Sequence, residues 1–488
     1  MITDDELLLL SKLIHDKEVI DSRDDLLKFT YKTMEEFKAS EFHKVYYHLL
    51  DLFAKGVIKR LMITMPPQHG KSEGSTRRLP AFILGRNPDS KIAVASYNTT
   101  FARKFNRDIQ RIIDTKEYNE IFPDTYLSSS KVVDVSSNFL RNTEEFEIVD
   151  HKGSLKAIGR GGALTGNSVD IMVMDDLYKD YAEGNSPIIR DAVWDWYTTV
   201  VKTRLHNDSQ ELIVFTRWNE DDLIGRLEKK ENVVTITSLD DLENINPNDW
   251  VKINFEAIQT NEPTDIDSRV KGEALWSVKH NINKLQNTRL LDPENFNCLY
   301  QGNPKSKEGL LYGDFKTYTH LPELKIKKCL IDTADKGTDY LCAINYGEPL
   351  DDNDDNIYIL DILYTQQPME ITEGLTANFI TNGNVNSVDV ESNNGGRSFA
   401  RVIDDKTSPN ISINWYHQSD NKESRIFSNS ATVTNRIVFP ERWSIDYPEF
   451  YDHITNFKKL FKANKQDDCA DTLTGIIEQC DSQDFFIV

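Results

Sequence analysis

What the chain lacks narrows its class first. Cysteine is scarce: Cys298, Cys329, Cys342, Cys469 and Cys480 are an odd number, widely spaced and without a CxxC pair. Neither a disulfide framework nor a cysteine zinc site is expected, and a reducing cytoplasm fits. No apolar run approaches the ~18 residues of a membrane span, so none is expected. The opening stretch MITDDELLLLSKLIHD has no basic leader region and no small-residue cleavage site, and reads as an acidic helix. Basic charge is also short, with 57 Lys and Arg against 79 Asp and Glu and a formal net charge of −22. That sign is wrong for coating nucleic acid, so DNA would have to be met in a local basic channel, through metal-bridged phosphates, or within a larger assembly. No internal repeat is evident.

What is present is a globular composition, 39% apolar and 28% charged over 488 residues, long enough for two or three domains. The chain is organised around Leu61–Ser75, LMITMPPQHGKSEGS. A short β-prone run (Leu61, Met62, Ile63) breaks at Pro66-Pro67, and a turn through Gln68 and His69 delivers Gly70-Lys71-Ser72 to a helix start. That is the layout of a phosphate-binding loop. Backbone N–H groups would cradle phosphate, Lys71 would neutralise it, and the Ser72 hydroxyl would ligate Mg²⁺. The usual GxxxxGK[ST] pattern has glycine where Met65 stands, so the loop is a variant. Val169–Asp176, VDIMVMDD, is an apolar strand ending in two carboxylates, where a nucleotide-hydrolysing sheet places one acid for Mg²⁺ and one for the attacking water.

Residues 1–55 read as a helical segment. Lys91–Asn98 reads as a strand, and Phe101–Asp114 as a helix whose four basic residues, Arg103, Lys104, Arg107 and Arg111, line a DNA track or simply a solvated face. Strands are expected over 138–148 and 154–158, followed by the glycine-rich GRGGALTGNS. A helix is expected over 186–205 with Pro187 in its first turn, then a strand from Glu211 ending at Thr216-Arg217-Trp218. Strands alternating with helices imply a parallel sheet covered on both faces, with the polar strand ends facing nucleotide. From about Leu239 to Val270 the chain is rich in Asp, Asn and Pro, and reads as a domain edge and linker.

MPPQHGKSE, GGALTGNSVDIMVMDDLYKD, VWDWY and FTRWNEDDLIGRL, in that order, resemble the ATPase half of the large terminase subunits of tailed bacteriophages, and ALWS and LYQGNP resemble the segment that follows. The likeness runs from about residue 40 to the C-terminus. It implies that Lys71 and Ser72 bind phosphates and Mg²⁺, that Asp175 is the metal-side acid and Asp176 the water-activating one, and that Thr216 couples hydrolysis to movement. Relatives often carry arginine at the positions of Gln68 and Asn167. With those absent, Arg160, Arg217 and Arg204 are the candidates for stabilising transition-state charge.

A second chemistry begins at Lys328. KKCLIDTADKGTDYLCAINYG reads as the opening hairpin of an RNase H-like sheet and carries Asp332; Asn356–Gln367 is a third strand, and SVDVESNNGG a further one ending at Glu391. Near the end, Asp467, Asp468 and Asp471 stand at a helix start, where acids are also good caps. Two-metal phosphodiester cleavage draws three or four carboxylates from separate elements to hold two divalent ions about 4 Å apart. In the terminase family such positions carry the DNA-cutting nuclease, which implies Asp332, Glu391 and Asp468, with Asp471 and Asp339 as further candidate ligands of Mg²⁺ or Mn²⁺.

The expectation is therefore an α/β chain: a helical segment (1–55), a P-loop ATPase domain with a mainly parallel sheet (56–245), a linker or subdomain (246–320), and an RNase H-like nuclease domain (321–488). The function implied by the resemblance is a DNA-packaging motor that hydrolyses ATP, moves double-stranded DNA into a procapsid and cuts the concatemer. Its implied partners are the portal protein, the small terminase subunit and further copies of itself in a ring on the procapsid, in the host cytoplasm. A DNA-binding or portal-docking ATPase whose RNase H-like domain is structural is the alternative. A helicase is disfavoured, because one phosphate loop is followed by the nuclease pattern and not by a second RecA-like sheet.

Overall fold

The computed structural model describes residues 4–128, 139–164, 168–304, 309–333, 339–392, 396–418 and 421–484. It separates into two compact units, Met1–Thr288 with Asp292–Lys305, and Arg289–Leu291 with Ser306–Val488. Among the described residues no helix is long and apolar enough to cross a membrane.

The first unit opens with helices α1 (Asp4–Asp24), α2 (Leu26–Thr33) and α3 (Glu41–Ala54). The Asp25 carboxylate accepts from the Lys28 N–H and starts α2, while Ser40 and His43 cap α3 reciprocally. There follow β1 (Arg60–Thr64), α4 (Leu79–Arg86), β2 (Lys91–Ser96), α5 (Thr99–Ile113), α6 (Lys116–Ile121), β3 (Glu145–Glu147), β4 (Ser154–Gly159) and β5 (Val169–Asp175). The unit continues through α7 (Tyr181–Asn185), α8 (Pro187–Trp196), β6 (Leu205–Phe215), α9 (Leu223–Lys230), β7 (Val233–Thr235), β8 (Trp250–Asn254), α10 (Ile282–Leu291, whose last three residues are grouped with the second unit) and α11 (Pro293–Leu299).

Its eight strands form one sheet in the order β3-β4-β2-β5-β6-β1-β8-β7, parallel except where β3 meets β4. Residues of alternate parity face two cores, as period-2 geometry requires. Leu61, Ile63, Val94, Val173, Leu212 and Val214 pack with Tyr46, Phe82 and Phe105 on one side. Met62, Ala93, Met172, Met174, Ile213 and Phe215 pack with Val193, Trp196 and Leu223 on the other. Both faces are therefore covered by helices, which is why these strands read as nearly unbroken apolar runs. The order places β6, which ends just before Thr216, between β1, which feeds the phosphate loop, and β5, which ends in Asp175.

Several boundaries differ from the sequence expectation. The helix over 186–205 is α8 followed by a wider π-helical stretch, Tyr197–Val201, and one 3₁₀ turn, Lys202–Arg204. β6 starts at Leu205 rather than Glu211, because its polar first half carries little apolar signal and is tied to β5 partly by side chains, His206 Nε2 to Asp170 Oδ1 at 2.9 Å and Ser209 Oγ to Val169 O at 2.6 Å. Within 138–148 only Glu145–Glu147 is strand, with Asn138 outside the described residues. Inside the acidic stretch read as edge and linker, β8 joins the sheet beside β1, with Ile253 opposite Ile63.

In the second unit β9 (Lys316–Tyr318), β10 (Leu324–Asp332), β11 (Leu341–Pro349) and β12 (Ile357–Thr365) precede α12 (Met369–Gly383), β13 (Ser387–Glu391), α13 (Gly396–Lys406) and β14 (Ser412–Tyr416). α14 (Lys422–Arg436), β15 (Ile437–Pro440), α15 (Trp443–Asp446), α16 (Pro448–Thr455) and α17 (Asp468–Asp484) complete it. The sheet runs β14-β13-β10-β11-β12-β15-β9, with β10-β11-β12 antiparallel and β13 parallel to β10, the mixed RNase H-like arrangement. Leu330, Cys342 and Ile344 pack with Leu473 and Ile476 of α17 on one face. Cys329, Ile331 and Val390 pack with Ile380 and Phe399 of α12 and α13 on the other. All five cysteines are free thiols.

Candidate nucleotide and metal sites

The phosphate loop is wound by two left-handed residues, Gln68 at φ 64° and Gly70 at φ 86°. Gly70 is suited to this conformation, and a Cβ there would come within 3.3 Å of His43 Nε2. The chain then enters Glu73–Arg78, a π-helical stretch continued by α4, with Gly70 O accepting from the Glu73 N–H at 3.1 Å. Tyr46 of α3 donates its hydroxyl to Lys71 O and fixes the start of this helix from below.

The ends of two strands, β5 and β6, meet the Lys71 ammonium. Its Nζ lies 2.7 Å from Asp176 Oδ2 and donates to Thr216 Oγ1. Asp176 Oδ1 in turn accepts from the Thr216 N–H at 2.7 Å, and Asp176 itself sits at φ 41°. Asp175 points the other way. It is 1% exposed, its Oδ2 accepts from Thr76 Oγ1 at 2.7 Å, and its Oδ1 has no hydrogen-bond partner. Burial and then the Asp176 charge push its carboxyl up to about 6, against the pull of Lys71 and the Thr76 and Ser72 hydroxyls. An orphaned, buried carboxylate oxygen next to Ser72 is a fitting place for a cation.

A cleft of about 600 Å³ opens over these groups, lined by Gln68, Gly70, Lys71, Ser72, Asp176 and Thr216. His69 is not part of its lining: its ring is buried, hydrogen-bonded through Nδ1 to Pro67 O at 2.8 Å and stacked 4.5 Å from His280. Sequence reading did not single out Arg77, Tyr97, Phe101, Trp218 and Lys279, which line the same cleft. Lys279 also donates to Gln68 O at 3.1 Å, and Trp276 meets His43 edge-on at 4.7 Å, so a segment some 200 residues downstream clamps the loop. Burial holds His43 and His69 down to about 4, hence neutral.

Two of the three arginines named from sequence are engaged elsewhere, and the third, Arg204, has a buried Nε without a hydrogen-bond partner among the described residues. Arg217 is buried against Asp222 at 2.6 Å, and Arg160 binds Glu183 at 2.7 Å and Leu177 O at 3.0 Å. Arg204 is half-buried on the turn before β6. The arginine that lines the cleft is Arg77, paired with Asp108 at 2.9 Å and lying over the Phe105 ring.

In the second unit Ile331 pairs with Val390, so Asp332 and Glu391 come next on adjacent strands. One oxygen from each, together with one from Asp471, lie within 4.8 Å of one another. The helix acid in this set is Asp471, one turn into α17, where sequence order had put Asp468 first. Asp468 accepts from the Tyr340 N–H at 3.0 Å, and Asp467 binds Lys422 at 2.6 Å. Asp339 is exposed beside them. Burial first, then the charges of Asp471, Glu391 and Asp468, raise Asp332 well above the usual carboxylate range, with Lys422 opposing. Burial pushes Asp468 up to about 6 and raises Asp471 as well. Such convergent, destabilised carboxylates fit divalent cations, which remove the repulsion.

Residues 62–287 match the family model described as terminase large subunit, T4likevirus-type, N-terminal. This segment belongs to the large-terminase family. No curated protein matches the chain. Among solved structures, a large terminase from the thermophilic bacteriophage D6E aligns over 91% of this chain and 99% of its own at 12% identity and a TM-score of 0.33. The large terminase ATPase domain of Thermus phage P74-26 aligns over 56% of this chain and 96% of its own at 13% identity and a TM-score of 0.35. The large-terminase match takes in the phosphate loop from Met62 onward, Asp175, Asp176, Thr216 and the clamp segment. Of the two positions where relatives often carry arginine, Gln68 contributes its carbonyl to the clamp and Asn167 lies outside the described residues.

Proposed function

We propose that the chain is the motor subunit of a viral DNA-packaging machine, hydrolysing ATP to drive double-stranded DNA into a procapsid and cutting concatemeric DNA with a two-metal endonuclease. The observation that carries the reading is the meeting of Lys71 of the phosphate loop with Asp176 and Thr216 at the ends of β5 and β6, in a segment of the large-terminase family.

Ser72 and the buried Asp175 would hold Mg²⁺, which would supply neutralising charge to the nucleotide phosphates. Lys71 exchanges its Asp176 partner for phosphate oxygens. That exchange leaves Asp176 Oδ2 free to accept a proton from the attacking water, while the Thr216 N–H keeps the carboxylate oriented through Oδ1. Because the Lys71 ammonium also holds the Thr216 hydroxyl, its movement is felt at the end of β6, which gives Thr216 its coupling role. Loop backbone at Gln68, His69 and Gly70 shapes the phosphate seat.

In the second unit Asp332, Glu391 and Asp471, with Asp468 beside them, would hold Mg²⁺ or Mn²⁺, which would supply an activated water and charge to stabilise the leaving oxygen of a phosphodiester. The net charge of −22 suits DNA held within an assembly, a ring of copies docked on the portal with the small terminase subunit in the host cytoplasm. Lys71→Ala should abolish ATP turnover, measured as phosphate release; unchanged turnover would sink the motor reading.

A further inference from the structure

The acid cluster of the second unit contains its own cation. Lys422, the first residue of α14, places Nζ 2.6 Å from Asp467 Oδ1 and 3.2 Å from Asp471 Oδ2. Arg425, one turn later, donates to Asp471 Oδ1 at 3.0 Å. Both oxygens of Asp471, the buried member of the Asp332, Glu391 and Asp471 set, are thus taken by side-chain cations.

The two cations are not equivalent. Arg425 is only 7% exposed, and its guanidinium is locked onto Glu478 through Nε at 3.1 Å and Nη2 at 2.6 Å, a geometry that a planar fork holds rigidly. Lys422 is 36% exposed and carries its charge on a flexible four-carbon stem. Burial works against its charge, but Asp471, Asp332 and Asp467 outweigh that and keep the ammonium protonated. A divalent ion seeking Asp471 Oδ2 meets a lysine that can leave and an arginine that cannot.

We propose that Lys422 is a displaceable internal cation, which neutralises the converging carboxylates in the metal-free protein and surrenders Asp471 Oδ2 when a divalent ion enters. The inference rests on the reading of these acids as a divalent-metal site. Arg425 then serves as the fixed post that keeps Asp471 aimed into the cluster in both states. The consequence is a metal site with a built-in competitor, weaker for divalent ions than its carboxylates alone would be.

The test is a Mn²⁺ titration of the full chain without nucleotide, following free Mn²⁺ by electron paramagnetic resonance, with Asp332→Asn as the blank for ions bound elsewhere. Lys422→Gln removes the competing unit charge and should tighten the Asp332-dependent Mn²⁺ affinity by about tenfold. Equal or weaker affinity in Lys422→Gln overturns the competitor role while leaving the metal site standing. No Asp332-dependent Mn²⁺ in the wild type overturns the metal-site reading and the inference with it. Should Lys422→Gln fail to fold, crystals of the wild type soaked in Mn²⁺ decide: Lys422 Nζ is expected beyond hydrogen-bond reach of Asp471 Oδ2, and a retained contact with the ion bound overturns the proposal.

Discussion

Asp176 holds a left-handed backbone at φ 41°, a conformation that costs a non-glycine residue about 1–3 kcal/mol. Its N–H donates to Val214 O at 3.2 Å and its carbonyl accepts from the Tyr97 N–H at 3.1 Å, while its carboxylate is held by Lys71 and the Thr216 N–H. Asp176→Asn retains an oxygen for the Thr216 N–H but cannot accept a proton from water. It should bind nucleotide normally and hydrolyse it slower by about 10² or more; normal turnover would show that the base is another group. Lys71, Asp176 and Thr216 were legible as candidates because Lys71 stands in the loop after β1, while Asp176 and Thr216 each close a largely apolar strand. The clamp was not: Trp276 falls within the ALWS motif, but the partners that place Trp276, Lys279 and His280 against the loop lie some 200 residues away. The buried His43 gives that clamp a pH signature. Its folded value of about 4 lies below the ordinary 6.5, so the unfolded chain takes up protons first as pH falls. Stability is therefore fully present above pH 6.5 and lost on the way down to 4, by up to about 3 kcal/mol for this one side chain. In thermal melts His43→Gln should lose less between pH 6.5 and 4 than the wild type, and parallel losses would contradict the assignment.

At the scale of elements, the phosphate loop is gripped between α3 and the sheet. Gly74 shows how closely: a Cβ there would stand 2.6 Å from the Tyr46 ring, whose hydroxyl binds Lys71 O. Gly74→Ala should lower the melting temperature, with a cost of about 1–3 kcal/mol for overpacking, and should weaken nucleotide binding because the ring must shift. An unaltered melt would mean that α3 does not brace the loop. The central strands were readable from sequence because helices on both faces make them continuously apolar. The start of β6 and the place of β8 were not, since the first half of β6 is polar and β8 is a short apolar run set within an acidic, Asn-rich stretch. The same limit applied to Asp471 and Asp468. Three acids at one helix start look alike in sequence, and only the packing of α17 on β10 and β11 brings Asp471 into the set with Asp332 and Glu391.

Across the whole molecule, the two candidate chemistries lie in separate compact units, each with its own sheet and cores. The account therefore requires that they fail independently. The most direct measurement is one reaction containing full-length protein, supercoiled plasmid, ATP and Mg²⁺ or Mn²⁺, in which phosphate release and plasmid nicking are followed together. The wild type should do both, Lys71→Ala should nick without releasing phosphate, and Asp332→Asn should release phosphate without nicking. Phosphate release by Lys71→Ala at the wild-type rate, or nicking by Asp332→Asn, would contradict it.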